Sequence, residues 1–159
     1  MTGSAVFFTQ IVGLTAAQVG LGLTIAGVAA FLAAVPAGRL VDRFGPKLMW
    51  SLSALGHAAG FAMWPFITGF RGYVIMACVM QVVGSLGGAS HAAYTIDVLP
   101  PDERVKSRAY MYSALNVGFT LGSMLGGIAL AFHSNEVLRA LPWATTAAFL
   151  GNAIAIRRL

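Results

Sequence analysis

Long apolar runs, each about as long as a bilayer is wide and each closed by a short polar segment, decide what this chain can fold into. From Ala16 to Val41 no charged residue appears before Arg39. Further runs cover about residues 48–68, 73–98, 109–132 and 138–156. A helix rises ~1.5 Å per residue, so roughly 20 residues cross a hydrocarbon core about 30 Å thick. Each run is close to that length or beyond it. In hydrocarbon every backbone N–H and C=O must be satisfied within the protein, and the runs lack the two-residue alternation of barrel strands. The expected fold class is all-α: a polytopic membrane helical bundle of five complete transmembrane helices, preceded by the end of another in TGSAVFFTQIVGL.

Composition removes several alternatives. Hydrophobic residues make up 58% of the 159 and charged residues 9%, with a mean hydropathy of +0.79, outside the usual range of soluble domains. The net charge of +5 comes from short basic clusters between apolar runs, not from a basic patch interleaved with aromatics, so no nucleic-acid partner is expected. Cys78 stands alone in an apolar run, which gives neither a disulfide framework nor a metal-ligand pattern. No metal and no cofactor are expected, and neither a P-loop nor a GxGxxG fingerprint is present. The N-terminus lacks the basic segment of a cleaved signal peptide.

The basic clusters predict orientation. Arg39, Arg43 and Lys47 follow the first run, Arg104, Lys106 and Arg108 the third, and Arg157 and Arg158 the fifth. The other junctions hold only Arg71, or Arg139 with Glu136. By the positive-inside bias the first three clusters and the C-terminus are cytoplasmic, in an integral protein of the plasma (inner) membrane. Thr15 and Gln18 have the spacing of a capping box and open the first complete helix. Pro100 and Pro101 stop the third helix, and five charges follow before Ala109.

One of these clusters is more specific than a topology signal. Gly38-x-x-x-Asp42-Arg43-x-Gly45-x-Lys47 resembles the signature loop between helices 2 and 3 of the major facilitator superfamily of secondary transporters. The run AYTIDVLPPDERVKSR looks like that family's helix 4 end, with Asp97 before a charged loop. Gly118, Gly122, Gly126 and Gly127 resemble the glycine-rich helix 5 motif of the family's antiporters. The sequence departs from the family pattern at Pro46, where many members carry a second basic residue, at Met80, where the antiporter motif has Arg, and at Ser123, where it has Pro.

The resemblance sets a register in which the five runs are family helices 2 to 6. Residues 1–159 then form a single partial membrane domain, the N-terminal bundle, truncated with helix 1 incomplete and the C-terminal bundle absent. It implies a transporter that moves a small solute by alternating access, of efflux type, and not an enzyme. Gly38, Asp42, Arg43, Gly45 and Lys47, together with Asp97, would form a state-dependent conformational latch. For Gly118, Gly122, Gly126 and Gly127 the expected role is helix packing. Gln81 and Ser85 in helix 4, and Asn116 and Thr120 in helix 5, are the candidate substrate cavity residues. The expected partners are membrane lipids, a small-molecule substrate, and either the missing C-terminal bundle or a second copy.

Plainer readings stand beside these. Asp42 and Arg43 could serve topology alone, the four polar residues could serve interhelical hydrogen bonds, and His57 could be a packed histidine. His91 is a weaker candidate for a proton relay. An intramembrane serine hydrolase built on Ser90 and His91 is disfavoured because adjacent residues on a helix point ~100° apart. A small helical membrane protein acting in assembly or as a partner subunit, without transport of its own, is the alternative from another class.

Overall fold

The computed structural model describes residues 7–9, 12–131 and 135–158. Regular structure among them is helical: residues 7–9 (α1), Ala16–Phe44 (α2), Pro46–Met63 (α3), a 3-10 turn at Trp64–Phe66, Gly69–Val98 (α4), Pro101–Ala131 (α5) and Asn135–Arg158 (α6).

Helix α2 opens on the expected capping box. The Gln18 amide donates to Thr15 Oγ1 at 3.2 Å, and the Thr15 amide donates to Gln18 Oε1 at 2.9 Å. The helix then runs 29 residues, about 44 Å at 1.5 Å per residue, well beyond a hydrocarbon core. Its far end therefore carries Arg39, Asp42 and Arg43 on a helix, where a loop was expected. Leaving an apolar environment does not by itself break a ladder of backbone bonds. The helix stops only at Gly45, whose φ of 87° suits glycine alone, and whose amide donates to Val41 O at 2.9 Å. Pro46, already set at a helical φ, opens α3 in the next position.

The other boundaries shift for similar reasons. The expected run at 48–68 divides: α3 ends at Met63, and Pro65 sits in the 3-10 turn that follows. Gly69, with φ 67°, starts α4, so Arg71 and Gly72 lie in its first turn and do not separate helices. Pro100 ends the preceding helix as expected, but Pro101 starts the next one at the position where its missing N–H matters least. Asp102 and Glu103 then place carboxylates at the positive end of α5. Arg104 reaches back to cap α4, donating to Ile96 O at 2.7 Å and to Leu99 O at 2.9 Å. The expected charged loop is thus one cap and the first two turns of a helix.

Among the described residues, α2 and α4 are long and apolar enough to cross a membrane by length and composition. On α2 the large side chains Phe31, Leu32 and Val35 are 80%, 68% and 64% exposed. Apolar area costs about 25 cal/mol per Å² when left in water. A lipid surround removes that cost.

The helices pack in the order α2, α4, α3, α6, with α4 held between α2 and α3, and α3 between α4 and α6. Helix α5 makes only slight contact with α4 and α6. Small residues set the close approaches. Gly22 of α2 lies under the Tyr73 ring, whose Cδ1 would stand 2.9 Å from an added Cβ, and the Tyr73 hydroxyl donates to Val19 O at 3.0 Å. Between α3 and α4, Gly56 meets Val83, Gly60 meets the Met80 sulfur and Gly87 meets Ser53. Around Gly118, Gly122 and Gly127 of α5 nothing lies within 4 Å of an added Cβ, and the surroundings of Gly126 fall outside the described residues. Two apolar clusters fix the ends of the bundle: Phe7, Phe8, Leu14, Val19 and Tyr73 at one, Ala54, Ala153 and Ile156 at the other.

Candidate solute cavity and signature turn

Between α5 and the packed group of α3, α4 and α6 lies a cavity of about 450 Å³. Helix α3 and the turn after it contribute His57, Phe61 and Trp64; α4 contributes Tyr73, Met76, Ala77, Met80 and Gln81. Gly118, Phe119, Gly122 and Ser123 come from α5, and Pro142, Thr145 and Phe149 from α6. Phe7, Phe8 and Leu23 complete the lining, which among the described residues includes no carboxylate, lysine or arginine.

Aromatic rings dominate one wall. His57 and Phe149 stack at 4.8 Å with 10° between their planes, and Phe149 stacks on Phe61 at 5.7 Å and 17°. Trp64 continues the series, 4.7 Å from the Phe61 ring. Its Nε1 is buried and has no hydrogen-bond partner among the described residues. The His57 ring is fixed by Nδ1, which lies 2.9 Å from Ser53 O. A carbonyl can only accept, so Nδ1 carries the proton, and in the neutral ring Nε2 is the acceptor.

Of the four residues expected in the cavity, Gln81 lines it. Ser85 is committed elsewhere: its hydroxyl donates to Gln81 O at 3.1 Å and to Ala30 O at 3.4 Å, which ties α4 to α2. Thr120 donates to Asn116 O at 2.9 Å within α5, and neither residue is among the lining. The residues sequence reasoning missed are the aromatics and Ser123. His57, Phe61 and Trp64 recur at i, i+4 and i+7, the spacing of a helix face, which was a usable signal. Nothing local in the sequence pairs them with Phe149, some 88 positions on from Phe61.

At the Gly45 end, Gly45, Lys47, Ser51, Tyr94, Asp97 and Arg157 line one shared groove. Gly38, Asp42 and Arg43 are on α2 outside it, and the Arg43 guanidinium sits 5.3 Å from the centre of the Phe44 ring. Asp42, Arg43, Lys47 and Asp97 are all exposed. Lys47 and Asp97 thus share a surface through the topology, from residues fifty positions apart. Arg157 joins them there, and no local pattern around it points to that groove.

Ser90 and His91 show no catalytic pairing. The Ser90 hydroxyl donates to Leu86 O at 2.7 Å, while the His91 ring meets Trp50 edge-on at 4.8 Å.

The sequence profile of the Major Facilitator Superfamily matches residues 1–158. This chain belongs to the major facilitator superfamily. It is therefore an integral membrane protein of a transporter family, not of an enzyme family. Multidrug resistance protein 1 of Bacillus subtilis (strain 168) is 29% identical over 140 residues, covering 86% of this chain and 34% of the relative. Multidrug resistance protein 2 of the same organism is 28% identical over 129 residues, covering 79% of this chain and 31% of the relative. Tetracycline resistance protein, class H, of Pasteurella multocida is 30% identical over 91 residues, covering 57% and 22% respectively. The chain thus spans about a third of the length of the two multidrug resistance relatives, 34% and 31%. The Gly38–Lys47 segment, expected from its resemblance to be the signature loop, is in this structure a helix end closed by the single-residue turn at Gly45.

Proposed function

We propose that this chain is the N-terminal bundle of an efflux-type secondary transporter, with α2 to α6 as five membrane spans and the C-terminus on the cytoplasmic side of the plasma membrane. The cavity between α5 and the α3, α4 and α6 group is one wall of its solute site. The observation that carries this reading is the composition of that wall, which is aromatic, includes Met76 and Met80, and is uncharged among the described residues, around a volume of about 450 Å³. Such a lining suits a flat lipophilic solute, held by ring stacking and oriented by a few polar groups such as Gln81. Multidrug and tetracycline resistance proteins among the relatives support the same class of solute.

The remaining wall of the site comes from a second bundle, supplied by a C-terminal half or by a second copy. Gly118 and Gly122 of α5 line the cavity, and with nothing within 4 Å of an added Cβ they leave room there for the solute. Movement of the two bundles about the solute would expose it to each side in turn. The groove at Gly45 is the latch in this scheme. Lys47, Asp97 and Arg157 are exposed charges, whose individual pairings contribute only about 0 to 1 kcal/mol. That suffices to bias two states that differ by a few kcal/mol.

The test is equilibrium binding of a fluorescent lipophilic dye to the chain in lipid nanodiscs. Phe149→Ala removes the middle ring of the stack and should raise the dye Kd about tenfold, since 1.4 kcal/mol of lost stacking and contact corresponds to that factor. Phe31→Ala, on the exposed face of α2, should leave it unchanged. Equal effects at both sites would show the dye in the lipid-facing surface and refute the cavity.

A further inference from the structure

Helix α3 and the turn after it give the cavity an aromatic face, and that face has a notch in it. His57, Phe61 and Trp64 line the cavity, while Gly60, next to Phe61 in the chain, is buried and carries no side chain. Met80 of α4 fills the notch. The atoms nearest to a Cβ added at Gly60 all belong to Met80: Sδ, which a methyl group would overlap, then Cε at 3.4 Å and Cγ at 3.5 Å. The thioether end of Met80 thus lies over Gly60, and the same residue lines the cavity.

Two further contacts hold α3 and α4 at this spacing. A Cβ at Gly56 would stand 3.0 Å from Val83 Cγ1, and one at Gly87 would stand 2.8 Å from Ser53 Oγ. The pair of helices is therefore seated on either side of Gly60 by contacts of their own. What gives way at Gly60 is Met80, an unbranched side chain with three rotatable bonds. Folded over Gly60, the thioether leaves cavity volume free. Displaced from Gly60, it takes that volume up, in a cavity of about 450 Å³.

We infer that Met80 sets the upper size of the solute, and that Gly60 is the positioning residue that lets its side chain withdraw from the cavity. This rests on the reading of the cavity as a solute site. Selection is by width. A thioether carries no charge and is only a weak acceptor, so it reads the extent of a flat aromatic solute and not its polar substituents. The thioether end of Met80 and one fused benzo ring are of similar bulk, and a single methylene in an apolar pocket already discriminates by about tenfold or more.

The experiment uses the full chain in lipid nanodiscs and two neutral fluorescent probes with identical end groups. Prodan is built on naphthalene and Anthradan on anthracene, so they differ by one fused ring. The signal of empty nanodiscs is subtracted. Gly60→Ala, which drives the thioether into the cavity, should raise the Anthradan Kd about tenfold and the Prodan Kd by less than about twofold. Met80→Ala should act the other way, lowering the ratio of the Anthradan Kd to the Prodan Kd at least about fivefold. Gly60→Ala combined with Met80→Ala should bind like Met80→Ala alone, because the new methyl group then has no thioether to displace. A methyl group that only strained α3 against α4 would weaken both probes alike, and the loss would persist in the double variant. That pattern, or an unchanged ratio in Met80→Ala, overturns this inference alone. No binding of either probe to the parent chain overturns the cavity reading and the inference with it. The Met80→Ala ratio needs no change at Gly60, so a Gly60→Ala chain that fails to fold does not protect the idea.

Discussion

Gly22→Leu should be among the most damaging single substitutions in this chain, lowering stability by about 3 kcal/mol, toward the upper end of what overpacking costs in a close-packed interior. Tyr73 lies across Gly22 so closely that a methyl group would already require the ring to move, its Cδ1 being 2.9 Å from the added carbon. The ring has little room to do so. Phe8 packs against it at 4.6 Å, and its hydroxyl is tied to Val19 O on α2 itself. Displacing it breaks that bond and opens the cluster of Phe7, Phe8, Leu14 and Val19 at the same time. Gly20→Leu is the matched control, because nothing lies within 4 Å of its added Cβ, and it should be close to neutral. The two variants are compared by reversible unfolding in mixed detergent micelles. Equal stability would show that α2 does not seat on α4 through Tyr73.

The signature segment offers the second large effect, and one with opposite signs at two glycines. Gly45→Ala should destabilise by about 1–3 kcal/mol, since a φ of 87° is one that an L side chain adopts only under strain. Gly38→Ala should be neutral or stabilise by about 0.5–1 kcal/mol, because Gly38 is inside α2 with open space around it and alanine is the better helix former. The same unfolding measurement separates them. The two glycines of the segment therefore meet different requirements, a backbone one at Gly45 and none of that kind at Gly38.

That contrast shows what was legible in the sequence. The helices were, because runs of apolar residues at bilayer length have few other solutions. Helix ends were not, because Arg39, Asp42 and Arg43 mark where the chain leaves hydrocarbon, and a helix can continue past that point. Arg104 could be counted as a charge, but its capping bonds to Ile96 and Leu99 depend on the angle at which Pro100 turns the chain. The evenly spaced glycines of α5 stood out by their period. Those that press closely on another helix in this structure, Gly22, Gly56, Gly60 and Gly87, are identified by Tyr73, Val83, Met80 and Ser53 across from them. Such partners are fixed by packing order, which no local pattern reveals. Gln81 reached the cavity because a polar residue on an apolar helix is conspicuous. The aromatic wall was overlooked because aromatics on apolar helices are not.

Photoaffinity labelling tests most directly whether the cavity is where a solute binds. A lipophilic aromatic ligand carrying a diazirine would be bound to the chain in nanodiscs, irradiated, and mapped by mass spectrometry after digestion. Labels are expected at His57, Phe61, Gln81 and Phe149, and excess unlabelled ligand should remove them. Labels concentrated on Phe31, Leu32 and Val35 of the exposed α2 face, undiminished by competitor, would show that the cavity is not the solute site.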